Sequence, residues 1–150
     1  MSEIIAPAEF LAVLEETLDR GQELTLVPTG VSMLPMLDGK NDKVTFASKP
    51  ERLKKYDVAL YVRPESGQLV LHRMVGFTKD GGYVFSGDGQ YYYEYGITDG
   101  DVRALMISFT HKGKEHCVDE PGYKLYIRYM MLKKKLRIFA GRVYHKVLKR

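Results

Sequence analysis

Two side chains in this sequence could together do hydrolytic chemistry, Ser32 and His72. Ser32 sits in Pro28-Thr29-Gly30-Val31-Ser32-Met33-Leu34-Pro35, a turn-forming stretch between two apolar runs that holds one small hydroxyl between Gly30 and Pro35. A serine hydroxyl is a weak nucleophile near neutral pH and needs a neighbouring base. Imidazole, which titrates near about pH 6.5, can take that proton and return it. His72 follows forty residues later, inside the apolar run Leu69-Val70-Leu71-His72-Arg73-Met74-Val75. Taken singly, each has a plainer reading: Ser32 as a solvated loop serine, His72 as a hydrogen-bonded core or edge residue of a strand. Taken as a pair they are a nucleophile and a general base. Attack on a carbonyl would create an oxyanion, for which the backbone N–H of Ser32 is the natural donor; one such donor is worth about 2.7–4 kcal/mol.

The elements that must position this pair are mostly strands. From residue 23 onward the apolar runs are short, β-branched and separated by turn residues: ELTLV, KVTFA, DVALYV, QLVLHRMVGF, GYVFS, DVRALMISFTH and EHCV. Hairpin signals stand between candidate strands at ESG (65–67), KDGG (79–82) and HKGK (111–114), which predicts antiparallel pairing of neighbours. Alternation places His72 on one strand face with Val70 and Met74. Residues 7–20 read as a helix, with Pro7 in its first turn, Phe10, Leu11, Leu14 and Leu18 on one face, and Gly21 as its stop. After Pro121 and Gly122 the period becomes helical again, with Leu125, Tyr129, Leu132, Leu136, Phe139, Val143 and Val147 at steps of three and four. The predicted architecture is therefore mainly β: an N-terminal helix (1–22), an antiparallel β core (23–120) and a basic amphipathic C-terminal helix (121–150), with no second domain.

Composition narrows the function classes. At 150 residues, 45% of them hydrophobic, the chain can bury a core without staples. One cysteine, Cys117, excludes an intramolecular disulfide. The histidines His72, His111, His116 and His145 show no zinc-ligand spacing, so neither a metal nor another cofactor is expected. The segment 1–21 has no basic n-region and is interrupted by Glu9, Glu15, Glu16 and Asp19, so it reads as neither a signal peptide nor a transmembrane helix. Charge is uneven: residues 1–122 hold 13 Lys/Arg against 19 Asp/Glu, whereas residues 123–150 hold ten Lys/Arg and no acid. That tail suits a helix lying on an anionic membrane surface, or one packed on the β core with its charges in water. No helix-turn-helix or zinc finger accompanies it, which weighs against nucleic acid. A cytoplasmic location, or a peripheral one at the cytoplasmic membrane, fits these features. The run Tyr91-Tyr92-Tyr93 could line a substrate groove, though aromatic residues of a β protein more often pack.

The order Gly30-Val31-Ser32-Met33-Leu34-Pro35, then Asp57-Val58-Ala59-Leu60-Tyr61, then Leu69 to Val75 resembles the superfamily of type I signal peptidases and LexA-type repressors, and within it the Ser-His branch of endoplasmic-reticulum and archaeal signal peptidases. The resemblance spans residues 24–107. It implies a serine endopeptidase without cofactors, in which Ser32 attacks the peptide carbonyl and His72, followed by Arg73 as the family's base is followed by an arginine, acts as base. Ser86-Gly87-Asp88-Gly89-Gln90 is similar to the G-D-N-N segment of that branch, where an acid six residues beyond the first aspartate orients the histidine. That count gives Glu94 as the third member, with Asp88, which stands in the better-matching motif, as the other candidate. Signal peptidases often carry a second oxyanion donor two residues before the nucleophile. Here that position is Gly30, so such a donor is absent or supplied by Thr29. In place of the family's membrane anchor before the serine box stands an acidic amphipathic helix, which weighs against secretory preproteins as substrates; the substrate expected is a peptide or leader sequence. Two rivals remain on the same core: a LexA-type self-cleaving regulator, opposed by the short segment before Ser32 and by histidine in place of lysine, and a non-catalytic peptide-binding or membrane-associated scaffold.

Overall fold

The computed structural model describes residues 7–149; residues 1–6 and 150, which belong to the first and last expected segments, lie outside the described residues. The chain forms helix α1 (Pro7–Asp19), strands β1 (Leu24–Leu26), β2 (Val44–Ala47), β3 (Val58–Val62), β4 (Leu69–Phe77), β5 (Tyr83–Ser86), β6 (Glu94–Ile97), β7 (Val102–His111) and β8 (Lys114–Cys117), and helix α2 (Pro121–Leu148). Two compact units divide at Val118/Asp119, next to the change of period read at residue 121. The first holds α1 and the sheet, the second α2. The fold is mainly antiparallel β with a helix at each end, as the sequence predicts.

In the first unit the strands run in the order β1-β2-β7-β3-β4-β5-β6, with β8 beside β7. Every pairing is antiparallel. The three hairpin signals each join the expected pair. The sharpest is the two-residue turn at Lys112 and Gly113, both with positive φ (50° and 78°), the mirror-turn geometry whose twist matches paired strands. Not all sequence neighbours pair, because β7 inserts between β2 and β3. That central position explains the composition of β3: Val58, Ala59, Leu60 and Tyr61 are all buried, so the strand needs apolar side chains on both faces.

Around β3 packs a core of Leu53, Ala59, Tyr61, Val70, Met74, Tyr83, Phe85, Ile97 and Val102. Beyond the end of helix α1, Gly21 has a φ of 73°, the left-handed value that glycine adopts past helix C-termini. The helix buries Leu14 and Leu18 completely or nearly so, each contributing about 1.5–3 kcal/mol, while Phe10 and Leu11 are half-buried.

One strand was not foreseen. β6, Glu94-Tyr95-Gly96-Ile97, is four residues long at the sheet's edge, and Gly96 at φ 79° breaks the alternation by which a strand is recognised.

Candidate active site

Ser32 stands in a tight turn in which the Val31 carbonyl accepts from the Leu34 N–H at 3.1 Å and the Met33 carbonyl from the Leu37 N–H at 3.0 Å. Met33, Met36 and Leu37 are buried and pin the turn, while Val31 and Leu34 face solvent and Ser32 is half-buried between them. Glycines hold the turn from two sides. A Cβ added at Gly39 would collide with the Gly30 backbone, and one added at Gly87 would collide with the Ser32 carbonyl oxygen. At Gly89 a Cβ would come within 3.0 Å of the Leu34 carbonyl oxygen, and the Gly89 N–H donates to the Ser32 carbonyl at 2.9 Å. The 87–90 loop can therefore reach the serine turn only because those two positions lack side chains.

That loop is itself anchored by a charge pair. Arg73 donates through Nε and Nη2 to the two carboxylate oxygens of Asp88, each at 2.8 Å, and both side chains are wholly buried. The guanidinium also donates to the Tyr56 carbonyl at 3.0 Å and lies 3.3 Å from Met36 Sδ, so it ties the strand, the loop and the serine turn's buried methionine together. Forked pairing of this kind fixes orientation as well as distance.

His72, the neighbour of Arg73 on β4, faces the other way. The register pairs Ala59 with His72 and Tyr61 with Val70, which puts Tyr61 diagonally beside His72 on one sheet face and leaves Arg73, opposite Val58, on the other. His72 is 2% exposed. Its Nδ1 lies 3.2 Å from the Tyr61 hydroxyl and 3.9 Å from a Glu94 carboxylate oxygen, and the Tyr61 hydroxyl donates to the other Glu94 oxygen at 2.6 Å. Because that hydroxyl spends its proton on Glu94, its oxygen can accept only from a protonated Nδ1. The arrangement favours the tautomer that leaves Nε2 as the basic nitrogen.

Arg63 completes the group. Its Nη2 pairs with one Glu94 oxygen and its Nε donates to the other at 3.2 Å. Burial acts to raise the Glu94 carboxyl, but the hydrogen bonds from Arg63 and Tyr61 and the Arg63 charge outweigh it, and the group is held below its usual value. Burial first, then the hydrogen bond to Glu94, pushes the Tyr61 phenol far above its ordinary range, so it stays a neutral donor.

Ser32 and His72 both line one cleft of about 670 Å³, together with Thr29, Gly30, Gly89 and Tyr92 and with apolar walls from Val31, Met33, Leu37 and Leu69. Of the two candidate acids, Glu94 lies on the His72 side of β4 and Asp88 is engaged by Arg73. Tyr92 of the tyrosine run reaches the cleft wall, its hydroxyl accepting from Gln90 Nε2 at 2.6 Å. The sequence reading missed Tyr61 and Arg63, whose only signal was their place on the β3 face and just beyond its end. It also missed Gly39, which nothing local marks. No group of His, Cys, Asp and Glu able to hold a metal occurs among the described residues.

Comparisons with family models, with curated proteins and with solved structures gave no match.

Proposed function

We propose that the protein is a serine endopeptidase of the signal peptidase-like type, cutting an internal bond of a peptide or leader segment with Ser32 as nucleophile and His72 as general base. The observation that carries this reading is the shared cleft: a serine on a glycine-held turn and a histidine on a rigid strand line one space, and Nδ1 of that histidine is backed by Tyr61 and Glu94.

In the proposed reaction the Ser32 hydroxyl proton passes to His72 Nε2 as Oγ bonds to the scissile carbonyl carbon. The negative charge on the carbonyl oxygen is met by backbone N–H groups of the turn at Ser32, with Gly30 and Thr29 beside it. Collapse breaks the C–N bond, and the leaving amine takes the proton from Nε2. A water then gives its proton to Nε2 as its oxygen attacks the acyl ester; the bond from the carbonyl carbon to Oγ breaks, the new carboxyl end leaves, and Nε2 returns the proton to Ser32 Oγ. The carboxylate of Glu94, held ionised by Arg63, favours the charged imidazole that forms in both steps, with the Tyr61 hydroxyl between them. Tyr61 and Glu94 are positioning residues here, because neither touches the reacting atoms.

A serine-reactive phosphonate probe followed by peptide mapping tests the nucleophile. An adduct on Ser32 that disappears in His72→Ala supports the dyad, and an adduct on another serine would reassign it.

A further inference from the structure

Helix α2 is 28 residues long and carries two different sides. At about 100° per residue, Leu125, Tyr129, Leu132, Leu136, Phe139 and Val143 fall within a stripe about 80° wide. All six are exposed, from 45% at Val143 to 68% at Leu125. Arg128, Lys135 and Arg142 border that stripe on one flank, and Lys133 and Arg137 on the other, and all five are exposed. No acid occurs anywhere from residue 123 to 150.

We infer that this stripe is a docking face for an anionic lipid bilayer, lying in the plane of the headgroups with its apolar residues inserted. Cations on both flanks suit a partner that is negative on both sides of the helix along its whole length. A bilayer surface offers that uniformly over the roughly 27 Å from Leu125 to Val143. Long Lys and Arg side chains can lay their methylenes along the inserted apolar surface and keep their charges among the phosphates. The aliphatic and aromatic residues supply the non-polar contact, and the charges make it selective for anionic lipid.

The same spacing, alternating steps of four and three, would also suit a coiled coil with a second copy. Charge opposes that: the positions flanking such a seam are Arg128, Lys133, Lys135 and Arg142, and a second copy has no acid in this helix to answer them. No helix among the described residues is long and apolar enough to cross a membrane, so the contact inferred is with the surface.

Salt separates the two occupants, because it weakens attraction to lipid and relieves repulsion between copies. The full-length protein is sedimented with vesicles of equimolar phosphatidylcholine and phosphatidylglycerol, and with vesicles of phosphatidylcholine alone. Binding to the anionic vesicles is expected to exceed binding to neutral ones by more than about tenfold and to fall steeply towards about 1 M salt. Two exposed-residue variants guard against a folding artefact: Leu132→Glu with Phe139→Glu removes the apolar contact, and Arg128→Gln with Lys135→Gln and Arg142→Gln removes one charged flank. Helix content is checked by circular dichroism, and each variant should lose most of the sedimentation. Equal binding to both vesicle types, or no sedimentation with either, overturns the inference. Self-association that strengthens with salt and vanishes in Leu132→Glu with Phe139→Glu overturns it in favour of a second copy.

Discussion

Arg73 and His72 are adjacent on β4 and point to opposite faces, and the two faces are built differently. On the Arg73 side a guanidinium and a carboxylate meet in a doubly bonded pair with no exposed surface. On the other side the contacts to the His72 ring are looser, a neutral hydroxyl stands between the ring and the acid, and Glu94 keeps 15% of its side chain in contact with solvent. A pair closed on every side can hold parts in place but cannot exchange a proton with a substrate. A ring whose Nδ1 is backed by a hydroxyl and whose residue lines a cleft is placed to do so. One strand thus serves as scaffold on one face and as the proposed site on the other, and the 87–90 loop connects them, because the residue that Arg73 anchors sits between the two glycines that hold the Ser32 turn.

If the Arg73 side is scaffold, breaking it should cost stability most. Asp88→Ala leaves a buried, unpaired guanidinium and is expected to destabilise the fold by about 3–5 kcal/mol in denaturant unfolding. Replacing both partners with apolar residues, Arg73→Met with Asp88→Leu, should restore much of that loss. A double replacement no more stable than Asp88→Ala would mean that the charge pair does more than fill and neutralise its site.

Gly87→Ala sharpens the link between loop and turn. Its methyl group meets the Ser32 carbonyl oxygen, a backbone atom that cannot swing aside, so a cost of about 1–3 kcal/mol is expected together with reduced Ser32 labelling. The same substitution at Gly76, where a Cβ meets nothing within 4 Å, should leave labelling unchanged.

On the His72 side, removing the Tyr61 hydroxyl should show in activity and hardly at all in stability. Tyr61→Phe keeps the ring that packs 4.3 Å from Phe85 and removes only the hydroxyl. Activity is expected to fall about tenfold, or about 1.4 kcal/mol of activation free energy, with unfolding little changed. An unaffected rate would mean that the Tyr61 hydroxyl does not position His72.

The smallest effect is a dependence on acid. The folded Glu94 carboxyl lies below its usual 4.5, so its contribution to stability is present above about pH 4.5 and is lost as pH falls through the folded value. Glu94→Gln should flatten that acid limb in a series of unfolding curves, and an unchanged limb would assign it to other carboxylates.

How much of this was legible in the sequence follows from what each feature depends on. Ser32 and His72 are marked by their immediate neighbours: a glycine and proline around a lone hydroxyl, and a histidine inside an apolar strand. The C-terminal helix is legible because its period holds over 28 residues. Glu94 emerged only by counting along a family motif, since its own strand is short and interrupted at Gly96. Tyr61 could not be found locally, because its approach to His72 is a diagonal set by the β3–β4 register. Gly39 and the Arg73–Asp88 pair are likewise products of packing between segments distant in the chain.

The central claim is that Ser32 and His72 act together to cut peptides. Incubating the protein with a diverse peptide library and reading new internal termini by mass spectrometry tests it most directly. The wild-type chain should produce such termini, and Ser32→Ala and His72→Ala, verified as folded, should each lower the rate by more than about 100-fold. Cleavage at the wild-type rate by either variant would contradict the dyad, and a wild-type chain that cuts no peptide while Ser32 and His72 are intact would contradict the peptidase itself.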